Sequence, residues 1–221
     1  KLYNLVEELR KGNTNASYEL QDDNDMLGSA VLTLRDELSK NQEEEEKRKK
    51  EDRQRHWTSE GLAKFGDILR QDTDNMEELS YRIISNLVKY IGATQGAIFI
   101  LNGEEQADKH LEMTACYAYE RRKFPDKRIE LGEGLLGATV LEKEVTYITE
   151  VPEEYVNITS GLGQSTPDAV LIVPLKVNEQ VHGALELASF HGMEQYVIDF
   201  VEKVAESVAS TISNVKITSK T

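Results

Sequence analysis

Apolar residues first recur at Leu2, Leu5 and Leu9, with Val6 beside them, which is the spacing of one helical face. Gly12 predicts the end of that helix, and residues 13–24 are polar and turn-prone. A second run, Leu27, Val31, Leu34 and Leu38, steps by four, three and four, as a heptad seam does, and Asp25 is placed to cap it. From Gln42 to His56 no side chain is apolar. Glu43, Glu44, Glu45 and Glu46 are each followed four residues later by Lys47, Arg48, Lys49 and Lys50, the favoured order for ion pairs along a helix. With no Gly or Pro in it, the stretch predicts a continuous solvated helix rather than a flexible linker.

Apolar periodicity returns at Trp57, Leu62, Phe65 and Leu69, and after a break at Asp72–Asn75 it resumes at Met76, Leu79, Ile83, Leu87 and Ile91, widened by Ile84 and Val88. Gly92 closes this helix, and the period then changes to two. Ala97–Leu101 is a short apolar run closed by Asn102-Gly103, the pattern of a central strand covered on both faces. Leu111, Met113, Ala115, Tyr117 and Tyr119 alternate with His110, Glu112, Thr114, Cys116 and Ala118, which predicts a second strand. Ile129–Leu131 starts another extended piece, Leu135–Leu141 a short helix, and Val145–Thr149 an edge strand. Pro152–Thr166 reads as a long loop with room for one helical turn. Ala169–Val177 and Val181–Phe190 predict a hairpin around Asn178-Glu179-Gln180, and Val197, Val201, Val204, Val208, Ile212 and Val215 a strong final helix.

Strands gathered in the middle with helices at both ends predict an α+β fold, a central antiparallel sheet with flanking helices preceded by a long helical, coiled-coil segment. One face of the sheet is expected to lie under the helices. The other is left to the irregular stretch from Leu131 to Pro167, and a lid of loop and short helix encloses a cavity more readily than packed helices do.

Composition narrows the functional classes. The net charge of −14 argues against nucleic acid, which needs a basic face. The single cysteine, Cys116, cannot form an internal disulfide and suits a reducing compartment. No apolar run approaches the ~18 residues of a membrane span, so no direct membrane insertion is expected. The start at Lys1, inside a helix and without Met, reads as a fragment of a longer protein that itself could be membrane-anchored, with this part cytoplasmic.

Three stretches carry a family resemblance. Arg128-Ile129-Glu130-Leu131-Gly132-Glu133-Gly134-Leu135-Leu136-Gly137 resembles the glycine-rich turn into the third helix of GAF domains. Ala169-Val170-Leu171-Ile172-Val173-Pro174-Leu175 resembles their penultimate core strand, and Val181-His182-Gly183-Ala184-Leu185-Glu186-Leu187 the last one. The resemblance covers about Trp57 to Ser213. The polar connector followed by Asn24-Asp25-Met26-Leu27-Gly28 resembles part of a HAMP relay module. Together these imply three regions: a partial HAMP-like helical segment (1–40), a charged helical linker (41–56) and a GAF domain with flanking signalling helices (57–221).

The resemblance implies a small-molecule site between sheet and lid. The Asn-Lys pair of the cyclic-nucleotide subclass is replaced by Ala188-Ser189-Phe190, and Cys116 lies on a strand rather than in the lid, so no covalent chromophore is expected. No metal spacing, nucleophile–base set or phosphate loop stands out; Gly132, Gly134 and Gly137 mimic a dinucleotide fingerprint without the rest of its unit. His56, His110, His182 and His191 are expected in structural or solvent-facing roles. Period two turns Glu186, with His182 and Ala184, away from the helices, and a carboxylate on a buried strand is costly unless it is paired. Glu186 is then either a polar anchor on a pocket floor or an internal bond to lid backbone. Cys116, Tyr117, Tyr147, Tyr155, Thr159 and Ser160 complete the candidate lining, although Tyr117 facing the helices would instead turn Cys116 and Thr114 to the pocket.

The expected function is that of a sensory module of a bacterial signal-transduction protein, such as a two-component system, and not of an enzyme. It would bind an unknown small molecule without a metal and relay through a homodimer to an output domain of the parent chain. Leu27, Val31, Leu34, Leu38, Val204, Val208 and Ile212 would form the dimer seam. The alternatives are a ligand-free structural dimerisation domain and, less favoured, a redox enzyme built on Cys116.

Overall fold

The computed structural model describes residues 1–22, 24–71, 75–103, 108–118, 121–123, 128–152, 158–160 and 163–219, with backbone alone for 121–123, 158–160, 163–165 and 217–219. They divide into two units, Lys1–Trp57 and Thr58–Thr221.

The first unit holds α1 (Leu2–Arg10), a polar connector and most of α2 (Met26–Arg70). Asp25 caps α2. Its carboxylate accepts from the Gly28 amide at 2.9 Å, the Tyr18 hydroxyl at 2.8 Å and the Gln21 amide at 3.2 Å. These bonds, led by that of Tyr18, hold the Asp25 carboxyl below its ordinary value. Gly28 is required there, because a Cβ would sit 2.4 Å from Asp25 Oδ2. The charged stretch is helical throughout, with Lys49 2.7 Å from Glu45 and Arg48 4.0 Å from Glu44.

In the second unit α3 (Met76–Ile91) starts at Asn75, whose side chain accepts from the amides of Glu77 and Glu78, and ends at the left-handed Gly92. Then come β1 (Gln95–Asn102), β2 (His110–Ala118), β3 (Arg121–Lys123), β4 (Arg128–Glu130), α4 (Gly134–Glu142), β5 (Thr146–Ile148), β6 (Ile158–Ser160), β7 (Gly163–Ser165), β8 (Ala169–Val177), β9 (Gln180–Ser189) and α5 (Gln195–Ser219). The main sheet runs β3-β2-β1-β9-β8-β5 with β4 also on β2, and its pairings are antiparallel. Within the segment expected to be loop, β6 and β7 pair as a short hairpin.

One face of the sheet packs on helices. Phe65 of α2, Tyr90 of α3 and Phe200 of α5 form an aromatic cluster with ring centroids 5.3–6.3 Å apart. Gly61 lets it close, since a Cβ there would lie 2.6 Å from both Tyr90 and Phe200. Val204, Val208 and Ile212 are 1%, 0% and 0% exposed, and α5 packs on β8 and β9. This corrects their assignment to a dimer seam. Their four-residue stripe is the domain's own core, whereas Leu27, Leu34 and Leu38 of α2 are 67%, 51% and 36% exposed.

At the end of β1 a polar chain ties three elements, α5, β1 and β2, together. Lys216 of α5 donates to the Leu101 carbonyl and to Asn102 Oδ1, and Asn102 Nδ2 donates to Glu112 Oε2 at 2.7 Å. The buried His110 places Nε2 2.9 Å from Glu112 Oε1 and Nδ1 2.8 Å from the Asp108 carbonyl. Both partners are acceptors, an arrangement that favours the protonated ring. The Asp108 and Glu112 bonds raise the His110 value, against burial and the Arg128 charge; the His110 bond lowers that of Glu112.

Two stability predictions follow from these contacts. A Cβ on Gly183 would lie 2.1 Å from the Phe99 carbonyl oxygen, whereas one on Gly66 meets only the end of Arg70, at 3.3 Å. In urea titrations Gly183→Ala should lose about 1–3 kcal/mol, and Gly66→Ala, in mid-helix, should gain up to about 1 kcal/mol. The His110 contribution is fully present below its ordinary value of 6.5 and is lost as pH rises through its raised folded value. The melting midpoint should therefore fall as the pH rises above the ordinary histidine value, and His110→Gln should flatten that decline.

Candidate functional site

The face of the sheet away from the helices is set by one cross-strand row. Cys116 of β2 pairs Ala97 of β1, which pairs Glu186 of β9, which pairs Ile172 of β8, which pairs Thr146 of β5. The next row, Tyr117, Gly96, Leu187, Leu171 and Tyr147, points to the helices: Tyr117 stacks 6.2 Å from Tyr81 of α3, and a Cβ on Gly96 would strike Ile84 and Val88. Glu186, 7% exposed, therefore shares a face with an apolar cluster that includes Phe99, Leu136, Val140, Val170 and Ile172. Of its four nearest same-face neighbours, three are alanines: Ala97 across the strand, and Ala184 and Ala188 along its own. The two strand spacings between Cys116 and Glu186 amount to about 9–10 Å.

α4 covers part of this face. Gly132 and Gly134 make the turn into it with φ of 82° and 61°, and Gly137 lets the helix approach β4, since a Cβ would lie 2.5 Å from the Glu130 carbonyl oxygen. These demands account for the glycine spacing without any phosphate. Thr139 of α4, 1% exposed, shares a 2.6 Å hydrogen bond with Thr146 of β5 and so fastens the helix to the sheet.

The candidate residues separate. Cys116, 4% exposed, and Glu186 lie on the lid face. Tyr117 does not; its hydroxyl is buried without a hydrogen-bond partner at the α3 side, where Lys89 stands 5.3 Å over its ring. Tyr147 does not either, and its hydroxyl accepts from the Met193 amide at 2.8 Å, just before α5. Thr159 and Ser160 belong to β6, and Tyr155 lies outside the described residues.

The strict alternation expected along β2 fails for a specific reason. A bulge opposite Ile98 and Phe99 inserts Thr114, so Ile98 pairs Ala115 while Phe99 pairs Met113. Leu111 and Met113 then pack on the lid side, whereas Thr114 turns to α3 and donates to Ser80 Oγ at 3.0 Å. Sequence reasoning also passed over the alanine floor and the Thr139–Thr146 bond; the alternation Ala184-x-Glu186-x-Ala188 was the one available signal for the former.

Among the described residues no helix is long and apolar enough to cross a membrane, and no group of His, Cys, Asp and Glu is arranged to hold a metal. No curated protein matches the chain in sequence. Solved structures do. The A. aeolicus Nlh2 GAF domain in an inactive state is 18% identical over 73% of this chain and 98% of its own, with a TM-score of 0.59. A methyl-accepting chemotaxis protein, residues 122 to 287, is 15% identical over 69% of this chain and 96% of its own, with a TM-score of 0.51. The free methionine-R-sulfoxide reductase from Neisseria meningitidis, solved in complex with its substrate, is 12% identical over 73% and 91%, with a TM-score of 0.56. This last likeness corrects the expectation that the chain is not an enzyme, because the same fold carries catalysis and cannot exclude it. A family model described as "GAF domain" matches residues 73–213, and the chain belongs to the GAF domain family.

Proposed function

We propose that this protein is a sensory module of a bacterial signalling protein that binds a small molecule over the lid face of its sheet and relays the event through its helices. The carrying observation is Glu186, a carboxylate held 7% exposed on a floor of three alanines and Cys116. The side chains beside it are small, Ala97, Ala184 and Ala188, so a polar group of a small molecule would meet little bulk there. A donor-bearing molecule, such as one with an amine, amide or hydroxyl, suits that floor.

For the relay, the proposal keeps a parallel homodimer through a HAMP-like N-terminal segment, with the module on the cytoplasmic side of a membrane-anchored receptor and an output domain elsewhere in the chain. The seam reduces to Leu27, Val31, Leu34 and Leu38, of which Leu27 and Leu34 are 67% and 51% exposed. Apolar side chains at heptad spacing on an exposed helix suit a second copy of themselves. The likeness to a chemotaxis protein fold is compatible with this use.

Native mass spectrometry of the protein as purified should show a reproducible bound mass that Glu186→Gln loses. Apo masses for both proteins, together with a higher melting temperature for Glu186→Leu, would instead favour a ligand-free structural domain. In sedimentation-velocity runs the wild type should behave as a dimer at about 50 µM, a concentration at which micromolar self-association is nearly complete, and Leu34→Glu/Leu38→Glu as a monomer. A wild type that is monomeric there removes the dimeric relay.

A further inference from the structure

We infer a second binding site, for small organic anions, in the open cleft at the β8–β9 hairpin end of the sheet. The cleft has a volume of about 780 Å³, inside the ~300–1,000 Å³ range of small-molecule sites. Leu131, Val140, Leu141 and Val181 form its apolar wall, and Lys109, Lys143, Lys216 and His182 stand around it with Glu179 as the acidic member among the lining residues. In a chain with 40 acidic against 26 basic residues, that lining reverses the overall charge balance. It lies on the lid side but away from Glu186: Leu101 of the lining is four residues from Ala97 along β1, about 13 Å.

Two of the cations, Lys216 and Lys143, are held rather than merely near. Lys216 is positioned by its bonds to the Leu101 carbonyl and Asn102 Oδ1. Lys143, in the left-handed conformation that ends α4, donates to the Glu179 carbonyl at 2.8 Å, and its ammonium is 3.8 Å from the Glu179 carboxylate. That carboxylate is 86% exposed, so the ion pair is weak and an incoming anion can replace it. Burial and the Lys216 charge push His182 below the ordinary histidine value, as a cation-lined recess would. Leu141 is 58% exposed beside these cations. An apolar wall beside ammonium groups suits a phosphate monoester or carboxylate that carries a compact apolar body. Such a ligand would touch α4, the hairpin and the end of α5 together.

The test is a heteronuclear NMR titration of the whole chain with phenyl phosphate, phenylacetate, inorganic phosphate and benzyl alcohol. Shifts confined to the cleft residues are expected with phenyl phosphate or phenylacetate, weaker ones with phosphate and none with benzyl alcohol; the stronger of the first two decides between phosphate and carboxylate. The bound anion should raise the His182 titration midpoint by about half a unit or more. Lys109→Gln/Lys143→Gln should weaken binding at least about fivefold, and Leu141→Ser should weaken phenyl phosphate more than inorganic phosphate. Equal shifts with benzyl alcohol, affinity unchanged in the double lysine variant, or a His182 midpoint that stays put would overturn the site. None of these outcomes bears on Glu186 or on a mass retained through purification.

Discussion

The second unit depends on β1 being enclosed from four directions. β2 and β9 take its hydrogen bonds on either edge, helices cover one face, and α4 and the lid-side cluster cover the other. Gly96, Ala97, Ile98, Phe99 and Ile100 are consequently apolar or small, and four of them are at most 2% exposed. Every side chain that neighbours this strand inherits the same restriction. A charged residue on the row beside it, as Glu186 is, cannot be an accident of surface composition. It sits among the small side chains of Ala97, Ala184 and Ala188, and that combination makes this part of the sheet the candidate binding floor.

Much of this could be read in the sequence, because its signals were local. Asp25 and Asn75 cap their helices, Gly92 ends one, and the Glu-to-Lys spacing keeps α2 intact through a stretch without apolar residues. The hairpin at Asn178, where φ is 53°, and the alternation of β9 were similarly local. The errors arose where a local pattern has two tertiary meanings. A bulge leaves no mark in an alternating string, so Thr114 and Ala115 looked like successive opposite faces until pairing with β1 put both toward α3. A four-residue apolar stripe looks the same whether it meets a sheet or a second helix. In α5 it meets the sheet, whereas in α2 Leu27, Leu34 and Leu38 of the stripe stay exposed. Tyrosines suit cavity walls in general, but Tyr147 uses its hydroxyl to hold the chain entering α5.

The fold by itself selects neither sensing nor catalysis, since a reductase and a chemotaxis protein share it. The distinction has to come from side chains, and here those on the lid face are a thiol, a carboxylate and a floor of alanines. In the proposed reading the buried carboxylate, flanked by small residues, contributes to recognition as a hydrogen-bond acceptor. Cys116, about 9–10 Å away by strand spacing, is too far to share a proton with Glu186 directly.

How an event on this face could reach α5 follows from how unevenly that helix is held. Its middle is embedded: Phe200, Val201, Val204, Ala205, Val208, Ala209 and Ile212 are each at most 1% exposed. Removing one such large side chain costs about 2–5 kcal/mol, so the middle moves only with the sheet beneath it. Near its end the described attachment is polar instead, Lys216 to Leu101 and Asn102, with Asn102 bound onward to Glu112 and thence to His110. Bonds of that kind, with a charged partner, are worth about 1.5–3 kcal/mol each, and the Leu101 acceptor belongs to the β1 end that also lines the cleft. A ligand that re-pairs Lys216 can therefore release or tighten the last turns of α5 without disturbing its core, whereas a ligand over Glu186 must act through the sheet. The two faces of control differ in stiffness, and the softer one lies at the C-terminal end of the helix.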